Sequence, residues 1–164
     1  MEITNKNPKI IMLAGKARAG KDTTASFIKE YGEKNNLKVI NLQFSFYIKY
    51  YAKLISSWDG SEETKPRTLL QQLGTDIIRD KIDNYYFIKR IVDDIKVLSY
   101  FADIITISDA RLPEELDTIN STYSNVIKIN IVRPEFDNSL NQTESVHRPE
   151  TALDNYNKYN SEII

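Results

Sequence analysis

Cysteine is absent from this chain of 164 residues, and histidine occurs once. Without cysteine the chain forms no disulfide and no thiolate metal site, and nothing in its composition points to an oxidising compartment. The one histidine has no cysteine and no second histidine with which to share a metal ion. The sequence therefore excludes disulfide-held scaffolds and metal centres built from histidine and cysteine.

An excess of either charge is also missing, as are long hydrophobic runs. Lys and Arg number 22 against 23 Asp and Glu, for a formal net charge of -1, so there is no basic footprint for general nucleic-acid binding. No apolar run approaches the ~20 residues of a membrane-spanning helix, and the polar residues 1–9 contain no secretory hydrophobic segment. We expect one globular domain, residues 1–164, that works in the cytoplasm and binds neither nucleic acids nor membranes.

The most informative stretch is the apolar run at residues 10–14 with the segment 15–23 (GKARAGKDT) that follows it. The run is short and rich in isoleucine, which predicts a strand buried on both faces of a parallel sheet. Helical periodicity begins after Gly20, so the segment joins a strand to a helix. Gly15 and Gly20 allow a tight turn whose N–H groups point at a polyphosphate, Lys21 can reach the β- and γ-phosphates, and the helix N-terminus favours anions. The segment predicts a nucleotide-binding phosphate loop.

Asp22 is the position at which this loop departs from the usual pattern G-x-x-x-x-G-K-S/T, and Thr23 follows it. A carboxylate is a hard oxygen ligand that can hold Mg²⁺ directly or through water. Its negative charge near phosphates makes sense with a cation between them, so we predict Asp22 to be a magnesium ligand. A plain strand-to-helix turn with a lysine cap is the structural alternative.

A second informative segment is the helix predicted to start at Pro66 and run to residue 79. Its polar side repeats every fourth residue, at Arg67, Gln71, Thr75 and Arg79, and its apolar side consists of Leu69, Leu70, Leu73 and Ile77. A glycine inside a helix costs ~1 kcal/mol relative to alanine, so Gly74 marks a close approach of a ligand or another backbone. The polar side, with Asp76, suits an anion and a hydrogen-bonding base. The alternative is a solvated face with a glycine needed for packing.

The strand predicted at residues 104–107 brings Ser108, Asp109 and Arg111 to its carboxyl end. Open α/β sheets bind their ligands at this end of the strands. Asp109 fits an acidic position that supports magnesium, and Arg111 fits a phosphate clamp. A surface ion pair between these two residues is the alternative.

The remaining elements are predicted from periodicity. Strands are expected at residues 37–42, 126–132 and 159–164, and helices at 21–34, 44–55 and 84–101 and from residue 113. The aromatic residues of 44–55 favour core packing over a wall for base stacking. Residues 133–150 lack periodicity, which is typical of a lid, and they contain Arg133, His147 and Arg148.

Taken together, these motifs resemble the phage-type deoxynucleoside monophosphate kinases of the P-loop kinase superfamily over nearly the whole chain. The most specific parts are residues 20–24 (GKDTT), 70–76 (LQQLGTD) with Arg79, 108–115 (SDARLPEE), and His147 with Glu150. The resemblance implies a three-layer α/β P-loop NTPase fold with a five-stranded parallel sheet in the order 2-3-1-4-5. It also implies a helical insertion at residues 44–101 that binds the monophosphate, and a lid at 133–150.

The function that the resemblance implies is transfer of the ATP γ-phosphate, with Mg²⁺, to a deoxynucleoside 5′-monophosphate. Small nucleotides are then the partners, and the sequence leaves open whether the chain forms a homodimer. The implied ATP-binding residues are Gly15, Ala17, Arg18, Ala19, Gly20, Lys21, Asp22, Thr23, Thr24 and Arg133. The implied acceptor-binding residues are Lys49, Arg67, Gln71, Thr75, Asp76, Arg79, Arg111, His147 and Glu150. The implied catalytic residues are Lys21, Arg18 and Arg111, and the implied magnesium ligands are Asp22 and Asp109.

Two departures from the family pattern bear on the acceptor. Residues 44–49 read FSFYIK where family members often read FADPLK, and residues 147–150 read HRPE where they read His-x-Ser-Glu. Three other functions stay open: a kinase of another phosphorylated acceptor similar to the animal-type phosphomevalonate kinases, an NTP-hydrolysing switch, and a nucleotide-binding protein without transferase activity. A panel of acceptors distinguishes them.

Overall fold

The chain folds around a parallel sheet whose two faces are covered by helices. The computed structural model describes residues 2–134 and 151–164. The strands are β1 Lys9–Ala14, β2 Val39–Leu42, β3 Ile104–Ala110, β4 Val126–Ile131 and β5 Ser161–Ile163. The α-helices are α1 Lys21–Lys34, α2 Ser45–Ile55, α3 Arg67–Gln71, α4 Tyr86–Leu98 and α5 Pro113–Thr122, and a π-helix, Gln72–Ile82, continues α3.

The strands pair in the order β2-β3-β1-β4-β5, and all the pairings are parallel. This confirms the predicted α/β class and the order 2-3-1-4-5. The register slips between β1 and β3, because Met12 lies opposite Ile107 while Ala14 lies opposite Ala110. The extra residue falls at Ser108 or Asp109, at the carboxyl end of the central strands. Bulges of this kind redirect side chains and are common beside active sites.

Apolar residues of the central strand alternate between two separate clusters, which makes the fold three-layered. Met12 is fully buried in the larger cluster, with Ile95 of α4 and Leu116 of α5. Leu13 is buried on the opposite face, with Ala25 of α1. The strand predicted to be buried on both faces is therefore confirmed, and its carboxyl end has a rigid support.

The helix predicted to run from Pro66 to Arg79 changes type part of the way along. It becomes a π-helix after Gln71, and the amide of Asp83 donates to the carbonyl of Ile78 at 2.8 Å across its last turn. In a π-helix each amide bonds to the carbonyl five residues earlier, which widens the turn. Ile78, five residues after Leu73, therefore lies on the same buried face as Leu73. The placement of Ile77 on the apolar side was wrong, because Ile77 is 41% exposed and Ile78 is 5% exposed.

Other predicted elements differ from the structure mainly at their ends. The helix predicted at 84–101 is α4, Tyr86–Leu98, and the final strand is limited to Ser161–Ile163. In α2 the aromatic residues divide: Tyr47 and Tyr51 pack against the core, whereas Phe46 and Tyr50 are exposed. None of the helices among the described residues is both long and apolar enough to span a membrane.

Candidate active site

The loop between β1 and α1 depends on two glycines. Gly15 has a φ of 141°, and a Cβ there would overlap the carbonyl oxygen of Ile131 at the end of β4. Gly20, with a φ of 106°, is the residue immediately before α1. Side chains are strained in this backbone region, so both predicted glycines are required by the path of the loop. The loop consequently lies directly above the ends of the central strands.

Lys21 is held inside this loop. Its ammonium donates to the carbonyl oxygens of Gly15 at 2.7 Å and Lys16 at 2.6 Å, and the residue is only 6% exposed. The loop carbonyls therefore keep a positive charge at the place where the motif predicts the donor phosphates. Arg18, at the tip of the loop, is exposed and has a φ of 58°.

Asp22 is anchored to the sheet by a chain of polar side chains. Its Oδ1 accepts hydrogen bonds from the hydroxyl of Ser108 at 2.9 Å and from the amide of Gln43 at 3.0 Å. Asn41 in turn donates to the hydroxyl of Ser108 at 3.1 Å and accepts from Thr106 at 2.8 Å. Ser108 is buried, so the ends of β2 and β3 fix the orientation of a carboxylate at the edge of the loop.

Asp109 has a role that its motif did not predict. One carboxylate oxygen accepts from the backbone amide of Phe44 at 2.8 Å and the other from that of Ser45 at 2.9 Å. The carboxylate thereby stabilises the start of α2, where such charges are favourable. With both oxygens already engaged, Asp109 fits a magnesium ion through an intervening water better than by direct contact.

The residues at this edge fit a magnesium ion shared with phosphates. Among the described residues, no group of three or more His, Cys, Asp or Glu side chains is arranged to hold a metal ion. Mg²⁺, however, is usually held by one or two carboxylates together with substrate phosphates, and it keeps several waters. Asp22 in the first turn of α1 and Asp109 at the end of β3 are a donor set of that kind.

A cavity of about 370 Å³ opens beside the loop. Ala17 and Asp22 line it from the loop, and Asp109 and Arg111 line it from the end of β3. The helical segment between β2 and β3 contributes five residues predicted to bind an acceptor: Lys49, Arg67, Gln71, Thr75 and Arg79. Separate sequence motifs therefore meet in one cavity, which has more cationic than acidic residues in its lining.

Some predicted residues are not part of this cavity. Asp76 is exposed and lies outside the lining, as does Arg133. The hydroxyl of Thr24 donates to the carbonyl oxygen of Gly20 at 3.0 Å, within the first turn of α1. His147 and Glu150, with most of the predicted lid, lie outside the described residues.

Four polar residues of the lining had been given no role of their own in the site from the sequence: Gln43, Ser45, Lys65 and Glu115. Gln43 follows β2 directly, so its position after a strand was an available signal. Glu115 lies in the first turn of α5, where an acidic residue normally serves the helix dipole. Nothing in the local sequence indicates that its side chain is buried.

Arg79 and Glu115 form a buried ion pair in the wall of the cavity. Nη2 of Arg79 lies 3.3 Å from Oε1 of Glu115, and the side chains are 11% and 3% exposed. Nη1 donates to the carbonyl of Gly74 at 3.0 Å, and the guanidinium lies 4.9 Å from the ring centre of Phe87. Burial raises the pKa of Glu115 to about 7, against the opposing effect of Arg79.

A second group of charges includes two further residues of the cavity lining, Lys65 and Arg67. Glu62 pairs with Lys65 at 2.9 Å and with Arg67 at 3.3 Å. The hydrogen bond from Lys65 is the main cause that holds the pKa of Glu62 below its usual value. The side chain of Glu62 is 71% exposed, so both pairs are screened by solvent and weak, and an incoming anion can compete for both cations.

The fold and the loop define an α/β protein with a phosphate-binding loop. The profile of the deoxynucleotide monophosphate kinase family matches residues 47–155, and the chain belongs to this family of phosphotransferases.

Comparison with curated proteins gives no match. Among solved structures, a crystal structure of APE1195 is 12% identical with a TM-score of 0.49, covering 80% of this chain and 64% of the other. A mutant of the Mycobacterium tuberculosis APS kinase is also 12% identical with a TM-score of 0.49, covering 79% of this chain and 82% of the other.

Proposed function

We propose that this chain transfers the γ-phosphate of ATP to a deoxynucleoside 5′-monophosphate and so produces the diphosphate. The observation that supports this most is the single cavity in which the edge of the phosphate loop, at Asp22, meets the cationic residues Arg79 and Arg111. A donor on the loop and an acceptor in the cavity would then have their phosphates side by side. Membership in the deoxynucleotide monophosphate kinase family supports the same acceptor class.

The donor side of the reaction relies on positioning and charge. Lys21, the loop amides and Arg18 hold the triphosphate, and the helix N-terminus at Gly20 adds its dipole. A bound magnesium ion neutralises charge on the phosphates, and Asp22 and Asp109 are the residues that would hold it, the second through water. Phosphoryl transfer needs little covalent chemistry from the protein, so the proposal requires no general base.

The acceptor side uses the opposite wall of the cavity. Arg79 and Arg111 bind the acceptor's phosphate close to the donor, and Arg67 and Lys49, which also line the cavity, add positive charge. Gln71 and Thr75 supply hydrogen bonds to the sugar or base. Apolar residues complete the wall, namely Phe44, Ile48, Leu70 and Leu112. The substrates are thus small nucleotides, and we expect the reaction to take place in the cytoplasm.

Formation of ADP tests the proposal with a panel of acceptors. The panel contains the deoxynucleoside monophosphates, the ribonucleoside monophosphates and phosphomevalonate, each with ATP and Mg²⁺. We expect rapid ADP formation with at least one deoxynucleoside monophosphate and slow formation without an acceptor. Turnover that ignores the acceptor would contradict the proposal in favour of a hydrolase, and turnover with phosphomevalonate alone would contradict the acceptor class.

A further inference from the structure

We infer that Glu115 is a positioning residue for the acceptor: its buried carboxylate holds the guanidinium of Arg79 toward the cavity in which the acceptor's phosphate binds. The inference rests on the proposed function. No sequence motif gave Glu115 a role of its own. A carboxylate repels a phosphate, so Glu115 does not bind the acceptor's phosphate directly.

The two carboxylate oxygens of Glu115 accept hydrogen bonds from different partners. Oε2 accepts hydrogen bonds from the backbone amides of Arg111 at 2.8 Å and Leu112 at 3.1 Å, which closes the turn between β3 and α5. Oε1 accepts from Arg79, which comes from the π-helix and lies 36 residues earlier in the chain. One carboxylate therefore ties two predicted phosphate-binding residues, Arg79 and Arg111, into a single unit.

Arg79 is fixed from three directions. Glu115 holds one end of its guanidinium, the carbonyl of Gly74 holds another, and the ring of Phe87 supports its flat face. A long arginine side chain loses most of its rotamer entropy when it is held in this way. This rotamer entropy of Arg79 is lost when the protein folds and not when the acceptor binds. A preorganised binding site gains affinity for that reason.

Capping alone does not account for the position of Glu115. A glutamate in the first turn of a helix can satisfy backbone amides while it stays in water, yet Glu115 is 2% exposed. Burying a charge pair costs desolvation free energy that its attraction often fails to recover. The raised pKa of Glu115 is a sign of that cost. A buried pair at the wall of a binding cavity is more readily explained by orientation of Arg79 than by stability.

Glu115→Gln separates the two tasks of this side chain. The remaining carbonyl oxygen can still accept from the amides of Arg111 and Leu112, but the new NH₂ group faces Arg79, a donor facing a donor. Pro113→Ala is the matched control, because it weakens the start of the same helix at its first position without touching Arg79.

The experiment measures kinetics and binding at pH 8, where Glu115 of the wild type is ionised. The acceptor is whichever of dAMP, dGMP, dCMP and dTMP gives the wild-type protein its highest kcat/KM. We expect Glu115→Gln to raise the KM and the calorimetric Kd for this acceptor about tenfold, or ~1.4 kcal/mol. The KM for ATP should stay within about twofold, and Pro113→Ala should change neither KM. Calorimetry accompanies the kinetics because a KM equals the Kd only when chemistry is slow relative to substrate dissociation.

Non-additivity provides the second readout. In an Arg79→Ala background, Glu115→Gln should add less than about twofold to the acceptor Kd, because the group that Glu115 positions is gone. An equally large further loss in that background would overturn the inference. So would an unchanged acceptor Kd in the single variant, or a parallel rise of both KM values.

Folding and function are separated by two further measurements. Circular dichroism and thermal melting report whether Glu115→Gln folds. If it does not, the variant Arg79→Gln is compared with the double variant Arg79→Gln plus Glu115→Gln. We expect the two proteins to have an equal Kd for the acceptor. A difference between them would count against the inference. If the wild-type protein binds none of the four monophosphates, the proposed function itself fails, whereas wild-type binding with no effect of Glu115→Gln overturns only the role of Glu115.

Discussion

At the scale of single residues, the loop between β1 and α1 holds one ammonium at the place where the motif predicts the donor phosphates. Lys21 is buried and bound to two loop carbonyls, which restrict the position of its charge. Preorganised charge of this kind lowers the barrier because nothing has to reorganise during transfer.

Lys21→Met should therefore reduce kcat about 10²- to 10³-fold, the usual effect of removing one preorganised electrostatic contact. Initial rates at saturating ATP and acceptor measure this. Lys29→Met, an exposed position on the same helix, is the matched control and should retain wild-type rates. Near-normal turnover of a folded Lys21→Met protein would mean that this loop is not the active one.

Asp22 provides a second residue-scale test, because its charge is tolerable beside a triphosphate only when a cation lies between them. Unscreened like charges at close range repel by several kcal/mol at an intermediate dielectric. Asp22→Asn should raise the Mg²⁺ concentration for half-maximal rate and leave ATP binding in chelator unchanged or tighter. Asp22→Ser should retain more activity than Asp22→Ala. Magnesium titrations unchanged from the wild type in all three variants would mean that Asp22 is a helix-start residue that serves the dipole, and that Asp109 alone positions the metal.

The titration of Glu115 predicts how stability changes with pH. Its pKa rises from an ordinary 4.5 to about 7 in the folded protein, so between these values the folded state binds more protons than the unfolded state. The associated stability is complete below pH 4.5 and is lost as the pH rises through 7. A glutamine side chain does not titrate, so Glu115→Gln does not undergo this loss. The unfolding free energy of Glu115→Gln minus that of the wild type should therefore rise by up to about 3 kcal/mol between pH 4.5 and pH 8.

Urea unfolding at pH 4.5, 6 and 8 measures this change. Glu33→Gln, which replaces an exposed glutamate on α1, is the control for the loss of a surface carboxylate. A difference between wild type and Glu115→Gln that is constant over this pH range would mean that the pKa of Glu115 is not raised in the folded protein.

At the scale of elements, the π-helix decides which side chains reach the cavity. Gly74 lies where α2 packs against this helix, and a Cβ there would lie 2.9 Å from Cδ1 of Ile48. The sequence indicated that a ligand or another backbone lies close to this glycine. In the structure the neighbour is the side chain of Ile48. Ile48 itself lines the cavity, so the contact sets part of its width.

Gly74→Ala should therefore destabilise the protein by about 1–3 kcal/mol through overpacking, although alanine favours a helix more than glycine does. Ile48→Val removes the Cδ1 atom, and in that background Gly74→Ala should no longer destabilise the protein and should gain up to about 1 kcal/mol from the higher helix propensity of alanine. Chemical denaturation of the four proteins in this cycle gives the coupling energy. Additive effects would contradict a direct contact between these two positions.

The elements also show what a sequence can and cannot reveal. The strand and loop around Gly15 and Gly20 followed from local requirements, because apolar runs and glycine geometry act over a few residues. The switch to a π-helix after Gln71 could not be predicted, since its residues have ordinary helical propensities and packing selects the wider turn. The burial of Glu115 was equally hidden, because its partner Arg79 is distant in the chain.

At the scale of the whole molecule, two independent observations agree. The family match covers residues 47–155 and so starts after the phosphate loop, which was recognised from its own spacing and geometry. The sheet brings the two together, since the ends of β1 and β3 lie side by side.

Transfer of a labelled γ-phosphate tests the central claim most directly. The protein is incubated with γ-labelled ATP, Mg²⁺ and each deoxynucleoside monophosphate in turn, and the products are separated and counted, with Lys21→Met as the inactive control. We expect the label in a deoxynucleoside diphosphate, formed in equal amount with ADP. Label found only as inorganic phosphate, or retained entirely in ATP with every acceptor, would contradict the account.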